Sequence, residues 1–196
     1  MRIERLPKSI ADPACGNGAI LDVLRDEGGH IVHGCDIRDY GWPHTVIRDY
    51  LEPEPIFMGD LGIVTNPPYR LAEAFIRKAI SDGARYHAWL LRTNFLESIG
   101  RFEFFQKHPP SKVWISSRRL PMMHHADYDG PKCDSSNQAF AWFFWREGCA
   151  PEPNGWFDWL TGQYFSAEWF DPRTGVASRG TPHAAGPRGH LQRQGT

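Results

Sequence analysis

Asn66, Pro67, Pro68 and Tyr69 follow one another at the end of a strand predicted over 61–67. Proline fixes its own φ and disfavours helical geometry in the residue before it, so the two prolines hold this corner of backbone rigid. The Asn66 side chain and the Pro67 carbonyl then offer two oxygen acceptors in fixed positions. Such a pair can hold both N–H groups of a planar amine, and Tyr69 offers a flat face for stacking. A strand that simply stops at prolines before a helix is the alternative.

A second segment, DPACGNG (12–18), places Asp12, Gly16 and Gly18 between a predicted strand and a predicted helix. Glycines let the backbone turn sharply and let a ligand approach without meeting a Cβ atom. The free N–H groups at the start of the helix favour a carboxylate or a phosphate. Asp36 ends the next predicted strand, 18 residues after Gly18, and an acid there suits a ribose diol.

The glycine turn differs from two common nucleotide-binding motifs. A dinucleotide site requires a third glycine, and Leu21 occupies that position. A P-loop requires Lys followed by Ser or Thr, which this turn lacks. A tight strand–helix turn without any ligand is the alternative, but it leaves the joint occurrence of Asp12, the glycines and Asp36 unexplained.

The hydrophobic pattern predicts alternating strands and helices. The predicted strands cover 8–16, 30–37, 44–51, 61–67, 86–93, 112–117 and 138–147, and the predicted helices cover 17–28, 70–84 and 98–108. This alternation is typical of a doubly wound, mostly parallel α/β sheet of seven strands with a Rossmann-like fold. No helix separates the last two strands, so the final strand is expected to run antiparallel.

Composition excludes several classes of protein. The chain has 196 residues, with no apolar run long enough to span a bilayer and no apolar core of a signal peptide at its start. The four cysteines, at 15, 35, 133 and 149, form no CxxC pair. A disulfide framework and a zinc site are therefore disfavoured, and a cytoplasmic location is expected.

Charge is distributed unevenly along the chain. Residues 1–69 carry 6 basic and 11 acidic side chains, which gives −5, whereas residues 70–196 carry 16 basic and 12 acidic, which gives +4. Within 70–119 the count is 10 basic against 4 acidic. The second part of the chain can therefore attract a polyanion, although solvated, Arg-rich helix faces are an equally good explanation of charge alone.

The two motifs together resemble a known family. DPACGNG is similar to the first motif of S-adenosylmethionine-dependent methyltransferases, and NPPY is similar to the catalytic motif of the amino-methyltransferases that modify exocyclic nitrogens, especially N6 of adenine. The resemblance covers residues 8–147 and extends to the small N6-adenine DNA methyltransferases of phages and prophages. It implies a class I methyltransferase fold and S-adenosyl-L-methionine as cofactor. No metal is expected, because the spacing of His124, His125 and Cys133 fits no common zinc pattern.

The resemblance also implies roles for individual residues. The catalytic residues would be Asn66, Pro67, Pro68 and Tyr69, which polarise the amine and stack a base flipped out of duplex DNA. The cofactor would be bound by Asp12, Pro13, Ala14, Cys15, Gly16, Gly18, Asp36, Ile37, Asp49, Tyr50 and Asn66. Among these, Asp12 and the glycines would contact the methionine part, Asp36 the ribose and Asp49 the adenine amine.

The predicted organisation is a methyltransferase domain over 1–150, followed by an aromatic extension over 151–170 and a disordered tail over 171–196. The extension is expected to fold back as a lid or short helix. Segment 118–137 is the candidate recognition loop, with an ordinary polar loop as the alternative. The candidate nucleic-acid-binding residues are Arg70, Arg92, Asn94, Arg118, Arg119, His124, His125 and Lys132.

NPPY alone does not fix the substrate. An adenine in DNA is the favoured target, and DNA is the expected partner. The alternatives are an adenine in RNA, cytosine N4 and a protein glutamine, because each presents a conjugated NH₂ group. A non-catalytic binding module with the cofactor fold is the alternative from a different class, although both motifs are intact.

Overall fold

The computed structural model describes residues 4–57, 60–120 and 138–166. Its described strands form one mixed sheet in the order β3-β2-β1-β4-β5-β7-β6-β8-β9. The strands are β1 (Ser9–Asp12), β2 (Ile31–Asp36), β3 (Val46–Ile47), β4 (Gly62–Thr65), β5 (Tyr86–Arg92), β6 (Lys112–Ser116), β7 (Phe140–Arg146), β8 (Gly155–Phe157) and β9 (Tyr164–Ser166). The helices are α1 (Ala19–Asp26), α2 (Ala72–Ser81) and α3 (Ile99–Lys107), and a 3₁₀ turn covers Thr93–Leu96.

The first five strands all run in one direction. β1 pairs in parallel with β2 and β4, β2 with β3, and β4 with β5. β7 lies antiparallel between β5 and β6, as predicted for the final strand of the domain. The strand order reverses beside β1, so the carboxyl ends of β1 and β4 flank the crevice where doubly wound sheets bind ligands.

Helices cover both faces of the sheet. Adjacent residues of β4 point to opposite faces, and Ile63 packs with Phe75 of α2 and Phe104 of α3. Val64 packs in a second cluster that includes Ile20 of α1. The doubly wound α/β class predicted from the sequence is therefore confirmed.

The expectation of a helix within 151–170 is wrong for the described part of this segment. β8 pairs with β6, and β9 pairs with β8, so the segment adds two strands to the seven predicted. Trp156 and Phe165 face each other across the hairpin with ring centroids 5.2 Å apart and nearly parallel planes. The aromatic residues form cross-strand pairs, which require no helical period. The tail over 171–196 lies outside the described residues.

Trp42 packs where the chain connects β2 to β3 without a helix. Its indole is buried, and its Nε1 donates a hydrogen bond to Asp22 Oδ1 of α1 at 3.0 Å. The ring lies against Gly34 of β2 and against Gly18, where a Cβ atom would meet indole Cδ1 at 1.7 Å. Gly18 also has φ +81. One side chain thus fastens α1 to the strand beside it.

No helix within the described ranges is long and apolar enough to cross a membrane.

Replacement of Gly18 by alanine is expected to destabilise the fold through two separate effects. Ala at φ +81 is strained, and its Cβ displaces Trp42. Gly29→Ala is the matched control, because Gly29 has φ +63 and nothing within 4 Å of the added Cβ. Urea unfolding should show a loss of roughly 1–2 kcal/mol for Gly29→Ala and roughly 2–5 kcal/mol for Gly18→Ala. Equal losses would contradict the packing role of Trp42.

Candidate active site

Three predicted cofactor-binding acids and Asn66 meet at the carboxyl edge of the parallel strands. Asp12 is the last residue of β1, Asp36 is the last residue of β2, and Asp49 follows β3 by two positions. Asn66 comes directly after β4. Because neighbouring parallel strands end at the same edge, these four residues line one rim of the sheet.

The glycine turn is tied to the end of β2 by hydrogen bonds. The Gly16 amide donates to Asp36 Oδ2 at 2.9 Å, and the Cys15 amide donates to the Cys35 carbonyl at 3.0 Å. Asp12 Oδ1 accepts from the Ala14 amide at 3.0 Å, which closes the turn from its other side. Asp36 therefore orders the turn, in addition to the ribose contact that the sequence suggests.

Gly18 has a structural explanation that the sequence did not provide. We expected this glycine to admit a ligand, but the space in front of it holds the Trp42 indole. Cys15 is also a packing residue, since burial raises the pKa of its thiol to about 12 and keeps it protonated. Pro13 is buried, and Ala14 is half-buried, beside these residues.

No described basic residue forms an ion pair with the acids at this rim. Among the described residues, Asp12, Asp36 and Asp49 take part in no ion pair. Arg48, the nearest basic residue to Asp49 in sequence, is paired with Glu52 and Glu54 instead. A positively charged ligand would compensate these carboxylates.

Asp12 is the most perturbed of these acids. Burial, together with the charge of Asp36, raises the pKa of Asp12 to about 7. The side chain is 1% exposed. A carboxyl group with this pKa is poised to change charge near neutral pH, as functional-site acids often are.

Asn66 presents a hydrogen-bond acceptor that has no partner. Its Oδ1 atom is buried and has no hydrogen-bond partner among the described residues, while the Asn66 side chain interacts with the Tyr69 hydroxyl and acts to lower the pKa of that phenol. A buried amide oxygen without a partner costs roughly 1–3 kcal/mol. Pro67 beside it is buried, whereas Pro68 is exposed and accepts a hydrogen bond at 2.8 Å from the Leu71 amide, in the turn that leads into α2.

Tyr69 is held between a ring and a cation. Its ring centroid lies 5.7 Å from that of Phe140 in β7, and the Arg92 guanidinium lies 4.8 Å from the Tyr69 centroid. Burial raises the pKa of Tyr69 to about 12, so the phenol is neutral at physiological pH. The sequence analysis did not single out Phe140, because β7 contains five aromatic residues and no pattern distinguishes the one at the rim.

Several predicted nucleic-acid-binding residues share one cavity with Tyr69. This cavity of about 300 Å³ is lined by Tyr69, Arg70, Arg92 and Asn94, and also by Glu97 and Arg101, which the sequence did not single out. Arg92 ends β5, and Asn94 lies in the 3₁₀ turn that follows. The structure therefore groups these predicted residues around the aromatic end of NPPY.

The other predicted nucleic-acid-binding residues are placed differently. Arg118 Nε lies 2.7 Å from both carboxylate oxygens of Asp158, which fastens the start of segment 118–137 to the β8–β9 hairpin. Arg119 is exposed nearby. His124, His125 and Lys132 lie outside the described residues.

The described ends of segment 118–137 nevertheless flank the candidate site. β6 ends at Ser116, and β7 begins at Phe140, which pairs with Arg92. The Thr93 amide donates to the Ala139 carbonyl at 2.9 Å. The segment thus leaves and re-enters the fold at the rim that carries Tyr69.

The remaining predicted cofactor residues lie near the rim but differ in exposure. Ile37 is exposed directly after β2, and Asp49 is exposed after β3, with its Oδ1 accepting from the Leu51 amide at 2.9 Å. The Tyr50 side chain points into the core, with its ring 5.0 Å from that of Phe75. Only the backbone of Tyr50 is therefore suited to contact a cofactor.

Similarity to solved structures covers most of the chain. The methyltransferase subunit of a type I restriction-modification system from Streptococcus thermophilus gives a TM-score of 0.55 at 11% identity, over 80% of this chain and 43% of that chain. A modification subunit of a putative type I restriction enzyme from Vibrio vulnificus YJ016 gives 0.50 at 15%, over 79% and 43%. The 23S rRNA methyltransferase ErmE gives 0.50 at 14%, over 76% and 65%.

These likenesses establish the fold. No protein-family model matches the chain, and no curated protein matches its sequence. The chain spans less than half of each restriction-modification subunit and less than two thirds of ErmE. It has the Rossmann-like α/β fold of these methyltransferases, as the alternation of strands and helices predicted.

The raised pKa of Asp12 predicts a specific pH dependence of stability. An unfolded aspartate has a pKa near 3.8, so between pH 4 and about pH 7 the folded state binds more protons than the unfolded state. Stability is therefore lost as the pH rises through about 7. Between pH 5 and pH 8, the wild-type free energy of unfolding should fall by roughly 3 kcal/mol more than that of Asp12→Asn.

Urea unfolding at the two pH values measures this difference. Asp39→Asn is the matched control, because Asp39 is exposed, and its replacement should leave the wild-type pH dependence intact. An Asp12→Asn variant with the same pH dependence as the wild type would show that Asp12 is ionised throughout this range.

Proposed function

We propose that this chain is an S-adenosylmethionine-dependent methyltransferase that modifies the exocyclic N6 of adenine in DNA. The observation that supports it most directly is the buried Asn66 Oδ1, which has no hydrogen-bond partner among the described residues and lies next to a rim of unpaired carboxylates. A site that leaves an acceptor buried and unused is built for a donor that arrives with the substrate.

The rim suits the proposed cofactor. S-Adenosylmethionine is cationic at its sulfonium and at its α-amino group. A cation bound beside the glycine turn would favour the ionised form of Asp12, which lies near Asp36. Asp36 keeps lone pairs for ribose hydroxyls, since each of its oxygens accepts only one backbone N–H among the described residues. When bound, the cofactor supplies an electrophilic methyl group.

The chain's own residues then prepare the amine. The lone pair of an adenine amine is delocalised into the ring, which makes the nitrogen a poor nucleophile. Asn66 Oδ1 and the Pro67 carbonyl accept its two N–H groups and favour a more tetrahedral nitrogen. Because the prolines restrict the backbone at Asn66 and Pro67 before the substrate arrives, little backbone reorganisation is needed during transfer.

Tyr69 and its neighbours suit a planar base. The ring is half-buried and faces a cavity whose other walls carry Arg70, Arg92 and Asn94. An aromatic face recovers part of the stacking energy that a base loses when it leaves a duplex. The arginines suit the phosphates on either side of such a base, and segment 118–137, which begins and ends at the same rim, is the proposed recognition loop.

Incubation with methyl-labelled cofactor tests the proposal. DNA, RNA and protein are supplied together, separated afterwards, and the labelled pool is digested to its monomers. Label in N6-methyladenine from DNA is the expected result. Label in RNA adenine, N4-methylcytosine or methylglutamine would show that the substrate is RNA, cytosine or protein instead. A protein that shows no cofactor binding by calorimetry and transfers no label would be a binding module.

Loss of the Asn66 side-chain amide should abolish methyl transfer and leave the affinity for the cofactor nearly unchanged. Asn66→Ala deletes one of the two acceptors, and we expect kcat to fall by about 100-fold or more, as when an oxyanion-hole donor is lost. Asn154→Ala is the matched control, since Asn154 is exposed in the loop before β8. Steady-state transfer and calorimetric titration with S-adenosylmethionine measure the two effects, and a fully active Asn66→Ala enzyme would refute this role.

A further inference from the structure

Arg101 of α3 donates to the backbone of the 3₁₀ turn that follows β5. Its Nε donates to the Phe95 carbonyl at 2.8 Å, and its Nη2 donates to the Asn94 carbonyl at 3.3 Å and to the Glu97 carbonyl at 3.0 Å. The guanidinium carbon also lies 4.6 Å from the centroid of the Phe95 ring. Three of the five guanidinium N–H groups are therefore used within the protein.

The end of this turn requires donors from outside it. The turn covers only Thr93–Leu96, and short 3₁₀ segments have poorer hydrogen-bond geometry than α-helices. Carbonyl groups at the end of a helical segment lack partners within that segment. The Glu97 amide donates to the Asn94 carbonyl at 3.0 Å, and Arg101 supplies donors to the carbonyls of Phe95 and Glu97. Arg101 thus caps the turn.

The turn carries two residues of the candidate site. Arg92 ends β5 directly before the turn, and Asn94 is its second residue. Both line the cavity that contains Tyr69, and the Arg92 guanidinium lies 4.8 Å from the Tyr69 ring centroid. A displaced turn would therefore displace two walls of the proposed base cavity.

The three arginines that line this cavity differ in what they contact. Arg70 and Arg92 are exposed, whereas Arg101 is half-buried against the turn. An arginine that binds a phosphate bidentately presents two parallel N–H groups to it. Such a pair is no longer free in Arg101 once Nε and Nη2 donate to the turn. Its hydrogen bonds thus suit support of the backbone better than a phosphate contact.

We infer that Arg101 is a positioning residue, which holds the Thr93–Leu96 turn, and with it Arg92 and Asn94, in place beside Tyr69. Its effect on methyl transfer rests on the proposed function, whereas its support of the turn is a property of the protein alone. Charge by itself would assign Arg101 to a phosphate, because it forms no ion pair with any acid in the described ranges. The two roles require different donor geometry and can be separated.

Two substitutions make the separation. Arg101→Met removes the charge and every N–H donor but keeps an apolar stem beside Phe95. Arg101→Lys keeps the charge, and a lysine can hold a phosphate but cannot reproduce the planar set of donors. Arg77→Met is the matched control, because the Arg77 guanidinium also lies 4.6 Å from a phenylalanine ring, that of Phe104, and pairs with Glu73 on α2.

Amide hydrogen exchange of the free protein tests the support of the turn. We expect segment 93–98 to exchange about fivefold faster in both Arg101 variants, because a turn that loses hydrogen bonds opens more often. Arg77→Met should exchange like the wild type in this segment. Unchanged exchange in Arg101→Met would overturn the inference.

Steady-state transfer from methyl-labelled cofactor to plasmid DNA tests the effect on the reaction. We expect both Arg101 variants to lose about tenfold in kcat, because a misplaced base cavity slows transfer. The KM for DNA should stay within about twofold of the wild-type value, and Arg77→Met should keep the wild-type kcat. The slope of log affinity for DNA against log salt concentration should not change, since no phosphate contact is lost.

A phosphate contact would give the opposite pattern. Arg101→Met would then raise the KM for DNA at unchanged kcat and reduce the salt slope by about one, and Arg101→Lys would restore both. That pattern, or full activity of Arg101→Met, would overturn the inference while the proposed function stands. Wild-type protein that methylates no DNA would refute the proposed function, and the exchange result would then decide alone whether Arg101 holds the turn.

Discussion

The candidate site is built around one buried hydrogen-bond acceptor, Asn66 Oδ1, that has no partner among the described residues. Asn66 Oδ1 is enclosed at the end of β4 without a donor among the described residues, and the two prolines after it prevent the backbone from relaxing into a helix to supply one. β4 is a central strand, paired on both sides by β1 and β5, so the backbone that leads into Asn66 is firmly held. Because Asn66 directly follows β4, the sheet restricts the movement of the backbone that carries this acceptor.

The same edge of the sheet contains a second unfavourable feature, the buried Asp12 carboxyl group beside Asp36, whose ionisation is disfavoured by burial. Both features destabilise the folded chain in the absence of ligands. A bound cation would stabilise the Asp12 carboxylate, and a planar NH₂ group would donate to Asn66 Oδ1. Natural proteins retain such costs mainly where a ligand compensates them. Trp42 provides rigidity nearby, since it fastens α1 to β2 and leaves the glycine turn little freedom to collapse over the acids.

Local chemistry allowed part of this arrangement to be predicted from the sequence. The rigid Asn66–Tyr69 corner, the glycine turn and the acid at the end of β2 depend on residues adjacent in the chain and on strand ends, which hydrophobic pattern and proline geometry locate. The class of fold followed from the alternation of strands and helices. The sequence analysis explained the lack of a side chain at Gly18 by a bound ligand, whereas the structure places the Trp42 indole there. This contact joins residues 24 positions apart, so no local pattern could predict it. The β8–β9 hairpin and the Arg118–Asp158 pair likewise depend on contacts that no local pattern encodes.

A crystal structure with a non-reactive cofactor analogue and a duplex that carries the methylated site would measure the central claim directly. The account predicts that Asn66 Oδ1 lies about 2.9 Å from adenine N6, within hydrogen-bonding distance, with the base against the Tyr69 ring. An adenine amine bound by other groups, with Asn66 Oδ1 more than about 4 Å away, would contradict it.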